Sequence, residues 1–310
     1  MISINNFING EFVPPNSNQY LDVYEPATGL IYSNVADSNS IDVENAYQSA
    51  QSAFKYWSGI SVEERAGYLN KIADGIESRL DEFAEYESRD TGKPISLARS
   101  VDIPRAVSNF RFFAEFGLAF QFESELNSDQ SQNKLIRSPL GVVGCISPWN
   151  LPLYLFTWKI APALIAGNTV VAKPSEITPY TAFKLSEICR DAGFPVGVLN
   201  IIHGQGSTAG DALVGHRGIK AISFTGGTAT GKLIAKKTAS SFKKLSLEMG
   251  GKNPAVIFAD CDYDNMRDTM VRSSFSNQGQ ICLCSSRILV EESIYEKFKI
   301  DFVQRVSELK

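Results

Sequence analysis

Only two histidines, His203 and His216, stand among the 310 residues, so a multi-histidine zinc or iron centre and a histidine-rich acid–base network have almost nothing to be built from. A basic excess is missing too: 30 Lys and Arg against 34 Asp and Glu leave a net charge of −4, the wrong sign for a nucleic-acid binder. Cysteine is scarce. Cys145, Cys189, Cys261, Cys282 and Cys284 form an odd set without a C-x-x-C, and they read as reduced thiols of a cytoplasmic protein, not as a disulfide framework. No apolar run is long enough to cross a bilayer; the most apolar long stretch, from Leu151 to Ala166, is broken by Pro152, Lys159 and Pro162. The first ten positions lack a basic n-region and an unbroken apolar segment, so no secretion signal is expected. Chemistry in this chain must run mostly on Cys, Glu, Asn and Lys.

With 44% hydrophobic and 21% charged residues the composition is that of an ordinary globular protein. At about 150 residues per domain, its length suggests roughly two domains. Positions 1–35 alternate short apolar runs with turn residues (Asn9-Gly10, Pro14-Pro15, Pro26 to Gly29), the pattern of hairpins lying on a surface. Helical spacing follows: Val43, Ala46, Ala50, Phe54 and Trp57, then Leu69, Ile72, Ile76, Leu80 and Phe83 after the capping-box signature Ser61-Val62-Glu63-Glu64. Asp102-Ile103-Pro104-Arg105 opens a further helix, and the polar stretch from Glu123 to Asn133 reads as an exposed excursion.

From Gly141 onward, β-branched runs (Val142–Ile146, Thr169–Ala172, Val198–Ile202, Ala221–Phe224, Ala255–Phe258) alternate with amphipathic segments. That alternation predicts an α/β fold, a parallel sheet covered by helices, with ligands at the carboxyl ends of the strands. Arg287–Val290 is a last strand, followed by a helix near Ile294–Leu309.

Several segments carry residues suited to chemistry. Gly279-Gln280-Ile281-Cys282 puts a cysteine just after a turn, where a thiolate would be reachable; the alternative is that Cys282 and Cys284 are small core residues. Leu247-Glu248-Met249-Gly250-Gly251 sets a carboxylate against paired glycines: a general base if its surroundings are apolar, a solvated turn glutamate otherwise. Asn150, in Ile146-Ser147-Pro148-Trp149-Asn150-Leu151-Pro152, lies between two prolines at a strand-to-helix junction, as an oxyanion donor or simply a helix cap. Lys173-Pro174-Ser175-Glu176 ends a strand with a pair able to hold two ribose hydroxyls, or with an unremarkable exposed pair. Phe224-Thr225-Gly226-Gly227 leads into a helix whose free amides could face a phosphate. It matches neither G-x-G-x-x-G nor a Walker loop, and Gly204-Gln205-Gly206 with Gly210 misses the dinucleotide fingerprint by one residue.

In this order the segments resemble the aldehyde dehydrogenase superfamily, over essentially the whole chain. Pro148-Trp149-Asn150, Phe224-Thr225-Gly226, Leu247-Glu248-Met249-Gly250-Gly251-Lys252 and Gly279-Gln280-Ile281-Cys282 carry the resemblance, with Met249 where the family usually has Leu. The resemblance implies an aldehyde-dehydrogenase-like fold with a Rossmann-type sheet and NAD as cofactor. It implies that Cys282 is the nucleophile, that Asn150 with the Cys282 amide forms the oxyanion hole, and that Glu248 activates the water that hydrolyses the thioester. It places the cofactor against Ile146, Ser147, Pro148, Trp149, Lys173, Ser175, Glu176, Gly206, Gly210, Phe224, Thr225, Gly226, Gly227, Met249 and Gly250, with the Glu176 carboxylate favouring NAD over NADP. Ser is common in relatives at the position of Gly227, so one phosphate contact is expected to be missing.

Within the superfamily, Asp102 to Arg105, Asn109 to Phe113, Trp149 to Tyr154 and Cys282 to Cys284 resemble the branch acting on 2-aminomuconic and 2-hydroxymuconic semialdehydes. That resemblance gives Arg105, Asn150 and Leu153 as substrate contacts, Arg105 holding a carboxylate; the alternative for Arg105 is a solvated residue in a first helical turn. It divides the chain into an NAD-binding domain (1–122 and 140–246), an oligomerisation hairpin (123–139) and the first part of a catalytic domain (247–310). Family members continue well beyond 310 residues, so the chain reads as truncated, its full-length form a homodimer or homotetramer. Two expectations stand: an NAD-dependent semialdehyde dehydrogenase, or a nucleotide-binding or interaction fragment of one without turnover. No metal, membrane or nucleic acid is expected. A CoA-acylating relative is disfavoured by Glu248, which such an enzyme would not need.

Overall fold

The computed structural model describes residues 2–128 and 130–309, except the side chains of Leu126 and Ser128. The chain forms two compact units, Met1–Glu248 and Met249–Lys310. The first unit opens with β1 (Ile2–Ile4), β2 (Asn6–Ile8), β3 (Glu11–Val13), β4 (Tyr20–Glu25) and β5 (Leu30–Ala36). β4 and β5 form an antiparallel hairpin, and β1 adds to β5 in parallel.

Helices α1 (Ser40–Gly59), α2 (Val62–Ser78) and α3 (Leu80–Thr91) follow. The Ser61 capping box is made as its sequence predicts: Glu64 donates its amide to Ser61 Oγ at 3.1 Å and accepts from the Ser61 amide at 2.9 Å. One expected helix is in fact two. Arg79 leaves helical geometry at φ −114° and ψ 25°, its guanidinium held by Glu82 and Glu187 at 2.7 Å each, so Phe83 belongs to α3 while Leu69 belongs to α2. A short α4 (Ile95–Leu97) and a wide π turn over Ala98–Asp102 lead into α5 (Ile103–Ala119), with Pro104 in the first turn, where its missing amide costs no hydrogen bond. The polar excursion is an antiparallel hairpin of β6 (Glu123–Ser128) and β7 (Ser131–Ile136).

The alternating part supplies β8 (Val142–Ile146), α6 (Pro152–Ile165), β9 (Thr169–Lys173), α7 (Tyr180–Asp191), β10 (Leu199–Ile201), α8 (Asp211–Gly215), β11 (Ala221–Gly226), α9 (Thr228–Thr238) and β12 (Lys244–Met249). Among the described residues the main sheet has seven strands in the order β12-β11-β8-β9-β10-β2-β3. β11, β8, β9 and β10 run parallel. β2 and β3 do not lie on a surface as a detached hairpin: β2 pairs antiparallel with β10, Phe7 opposite Ile201, and extends the sheet.

Side chains alternate across a strand, so a sheet buried on both faces needs apolar residues at every position. Val143, Cys145, Val170, Ala172, Leu199 and Ile201 enter one core with the apolar faces of α2, α5, α6 and α7. Val142, Val171, Ile202, Ile222 and Phe224 enter the other with residues of α1, α8 and α9. The unbroken β-branched runs follow from this two-sided burial.

The second unit pairs β13 (Asn253–Ile257) in parallel with β14 (Ser285–Val290), joined through α10 (Tyr263–Phe275) and followed by α11 (Tyr295–Ser307). Ile257, Met270 and Phe298 are its buried centre. Among the described residues no helix is long and apolar enough to cross a membrane.

Candidate active site

Strand order decides where a ligand fits. β9 and β10 lie on one side of β8, and β11 lies on the other, so the connections after β8 and β11 leave in opposite directions and open a crevice at the carboxyl edge. The register lines up the strand ends there, with Phe224 opposite Ile146 and Ile146 opposite Lys173. A cavity of about 1010 Å³ occupies this edge, at the upper end for small-molecule sites.

Thirteen of the residues expected at a cofactor line it: Ile146, Ser147, Pro148 and Trp149 after β8, Lys173, Ser175 and Glu176 after β9, Gly206 and Gly210 beyond β10, and Phe224, Thr225, Gly226 and Gly227 at the end of β11. Met249 and Gly250 are not among its lining residues; they fall in the second unit. Met249 is the last residue of β12, and Gly250 follows it.

Lys173 and Glu176 are not an exposed pair. The Lys173 side chain is 3% exposed, and its ammonium donates to Glu176 Oε2 and to the Pro174 carbonyl, both at 3.0 Å. Burial holds Lys173 below the usual lysine range, opposed by the Glu176 charge. Across the cavity Gly227 is the N-cap of α9, with no side chain to satisfy the first amides of the helix. A Cβ at Gly226 would come within 2.5 Å of the Phe224 ring, so a larger residue there would require that ring to shift.

The spacing of α9 marks further lining residues. Thr230, Leu233, Ile234 and Lys237 recur at i, i+3, i+4 and i+7 on one face of α9 and all line the cavity, as do Gln205, Ser207, Asp211, Val214 and Lys236.

Asn150 sits half-buried in the bend between β8 and α6, where its backbone carbonyl accepts from Lys93 Nζ at 3.3 Å. Arg105 is exposed in the first turn of α5, its guanidinium 5.6 Å from the centre of the Tyr154 ring. Leu153 corrects an expectation. It has no exposed surface and packs in the sheet core, so it cannot touch a substrate in this unit; Trp158 on α6 faces outward, 45% exposed.

Glu248 ends the first unit on strand β12 and not in a turn, and its side chain is exposed. It lines a second cavity, of about 430 Å³, with Lys159 and Ser223. Lys159 is buried, which lowers its pKa, and it donates to Ser223 Oγ at 3.4 Å.

In the second unit Cys282 is exposed, whereas Cys284 is buried against the Ser276 carbonyl. The turn before Cys282 is unusual: Asn277, Gln278 and Gly279 are all left-handed, with φ of 51°, 56° and 73°. Only the glycine takes that conformation without steric cost. Asn253 Nδ2 donates to the Cys282 carbonyl and, at 3.2 Å, to that of Cys284, which ties the turn to the start of β13.

Burial pushes Cys145 and Cys189 up to about 12. It pushes His203 down to about 3, while the His216 ring packs tilted against Tyr47, with centroids 4.1 Å apart, and its Nε2 lies 3.0 Å from Glu44. Among the described residues no cluster of His, Cys, Asp and Glu is placed to hold a metal ion.

Residues 12–310 match the model of the aldehyde dehydrogenase family. The chain belongs to the aldehyde dehydrogenase family. A 2-aminomuconic semialdehyde dehydrogenase of Danio rerio is 53% identical over 302 residues, covering 97% of this chain and 62% of the relative. A 2-hydroxymuconic semialdehyde dehydrogenase of Pseudomonas sp. (strain CF600) is 45% identical over 304 residues, 96% of this chain and 63% of the relative. Among solved structures, the NAD+ complex of an aldehyde dehydrogenase from Bacillus cereus superposes with a TM-score of 0.96 at 36% identity, over 99% of this chain and 63% of that one. The chain thus spans less than two thirds of the length of these family members.

Proposed function

We propose that the first unit, outside the 123–139 hairpin, binds NAD, and that the chain carries the residues with which a muconic-type semialdehyde is oxidised to its carboxylic acid. One observation carries this reading: a crevice at the strand-order switch offers a buried lysine–glutamate pair on one side and an uncapped helix start on the other. The Glu176 carboxylate can accept from both hydroxyls of a ribose and would repel a 2′-phosphate, while the first amides of α9 suit a pyrophosphate. Bound NAD supplies the hydride acceptor.

The protein's own steps follow from residue chemistry. The Cys282 thiolate adds to the aldehyde carbon, and the Asn150 amide with the Cys282 N–H stabilises the oxyanion. Loss of hydride from that carbon reforms the C=O as a thioester. Glu248 takes a proton from water, which attacks the thioester, releases the acid and frees the thiol. Arg105, exposed at the start of α5, suits a substrate carboxylate as a planar two-point donor. Residues 247–310 belong, on this reading, to the start of the catalytic domain, and the hairpin serves assembly into a homodimer or homotetramer.

The test uses near-stoichiometric protein with NAD and 2-aminomuconic or 2-hydroxymuconic semialdehyde. An NADH burst is expected, with loss of the burst in Cys282→Ala. A burst that survives in Cys282→Ala, or a melting temperature that NAD leaves unmoved, would overturn the proposal.

A further inference from the structure

Helix α3 ends at Gly92, whose left-handed φ of 73° turns the chain inward. Lys93 follows directly into the interior. Its side chain is 0% exposed, and the ammonium lies 2.7 Å from Asp102, itself 2% exposed. The same ammonium donates to the Asn150 carbonyl at 3.3 Å. At the other end of this bend the Leu153 amide donates to Glu87 Oε2 at 3.4 Å, and Thr181 Oγ1 donates to that oxygen at 2.9 Å. Glu87 is fully buried. Between the two anchors the chain passes through Leu151 and Pro152, whose ring fixes the entry into α6.

Burying a lysine with two carboxylates costs free energy that apolar packing would avoid. Neither Lys93 nor Glu87 lines the cofactor crevice. What the two share is the segment 150–153, gripped at both ends. We propose that Lys93 and Glu87 are positioning residues for Asn150, fixing the backbone from which its side-chain amide reaches the oxyanion. This rests on Asn150 being an oxyanion donor, as read above.

Lys93→Met strands the buried Asp102 carboxylate, so the test uses Lys93→Met/Asp102→Leu beside it, which removes the pair together. The burst rate is measured in wild type and in Asn150→Ala. With Asn150 present, the double variant is expected to slow the burst on the order of tenfold, with NAD affinity unchanged. With Ala at 150, it slows the burst by less than about twofold, because nothing remains to position. Equal slowing in both backgrounds overturns the positioning role. An Asn150→Ala chain with a wild-type burst removes the oxyanion reading itself, and the two failures are thereby told apart. Amide hydrogen exchange reads the same contacts without turnover. In the double variant a peptide covering 149–155 is expected to exchange about tenfold faster while peptides from β9 and α7 keep wild-type rates. Unchanged exchange over 149–155, or a rise across all of them, also overturns the proposal.

Discussion

Replacing Glu176 by Gln removes one charge at the point where the cofactor ribose is expected, and leaves size and shape nearly unchanged. Glu176 is 32% exposed beside a lysine that is 3% exposed, so its hydrogen bonds act in a partly desolvated setting. A hydrogen bond to a charged acceptor exceeds a neutral one by about 1 kcal/mol. Two ribose hydroxyls then lose about 2 kcal/mol, or about thirtyfold in Kd for NAD. NADP responds in the opposite sense, because the carboxylate that repels its 2′-phosphate is gone. The ratio of the NADP and NAD dissociation constants therefore falls by more than either constant alone suggests. Calorimetric titration gives both constants, and Trp149, 43% exposed on the crevice, offers fluorescence quenching as an independent reading. An NAD Kd within about threefold of wild type, or an unmoved NADP/NAD ratio, would refute the assignment of Glu176 to the ribose.

Two further outcomes follow from burial. Brief alkylation of the native chain should label Cys282 first and leave Cys145 and Cys189 untouched, since both are buried and held up to about 12, and thiolate is the reactive form; peptide mass spectrometry showing Cys145 or Cys189 modified ahead of Cys282 contradicts the placement of these thiols. Burial raises Glu87 to about 8 and Asp90 to about 7, while in the unfolded chain both ionise near pH 4. The folded state therefore holds more protons between about pH 4 and pH 8; the stabilisation from these two groups is complete below that window and is lost as pH rises through it. Urea melts across the window should show Glu87→Gln losing less stability with rising pH than wild type, and parallel slopes for the two would contradict the raised carboxyl.

The parts of the fold that were readable in the sequence are those where local pattern and tertiary burial coincide. β8 and β9 are apolar at consecutive positions because both faces of the sheet are covered, and no competing helical period runs through Val142–Ile146 or Thr169–Lys173. β2 escaped because it is three residues long and its partner is β10, a pairing that joins Phe7 to Ile201 and leaves no local trace. The break between α2 and α3 escaped for a related reason. The apolar spacing keeps its phase across Arg79, and what interrupts the helix is a guanidinium held by Glu82 and by Glu187 of a distant helix. β12 does alternate, through Leu245, Leu247 and Met249, but a strand that is largely exposed at the sheet edge resembles the turn that Gly250 and Gly251 announce just after it.

The same division runs through the site. The crevice was readable because each of its segments is local, a few residues at the end of one strand, and the parallel sheet gathers those ends without long-range detail. Leu153 was misplaced because α6 is apolar on nearly every side, so its period does not tell an inward leucine from the outward Trp158. Lys93 was missed for a stronger reason. Lysine and glutamate are by default surface residues, and nothing in Gly92-Lys93-Pro94 marks an exception. The exception is made by Asp102 and by an Asn150 carbonyl 57 positions away, both out of reach of a local pattern. Read from sequence alone, Lys93→Met is a mild surface change. In the folded chain it leaves a buried carboxylate unpaired and releases the bend that carries Asn150, and the double-variant measurement separates the second consequence from the first.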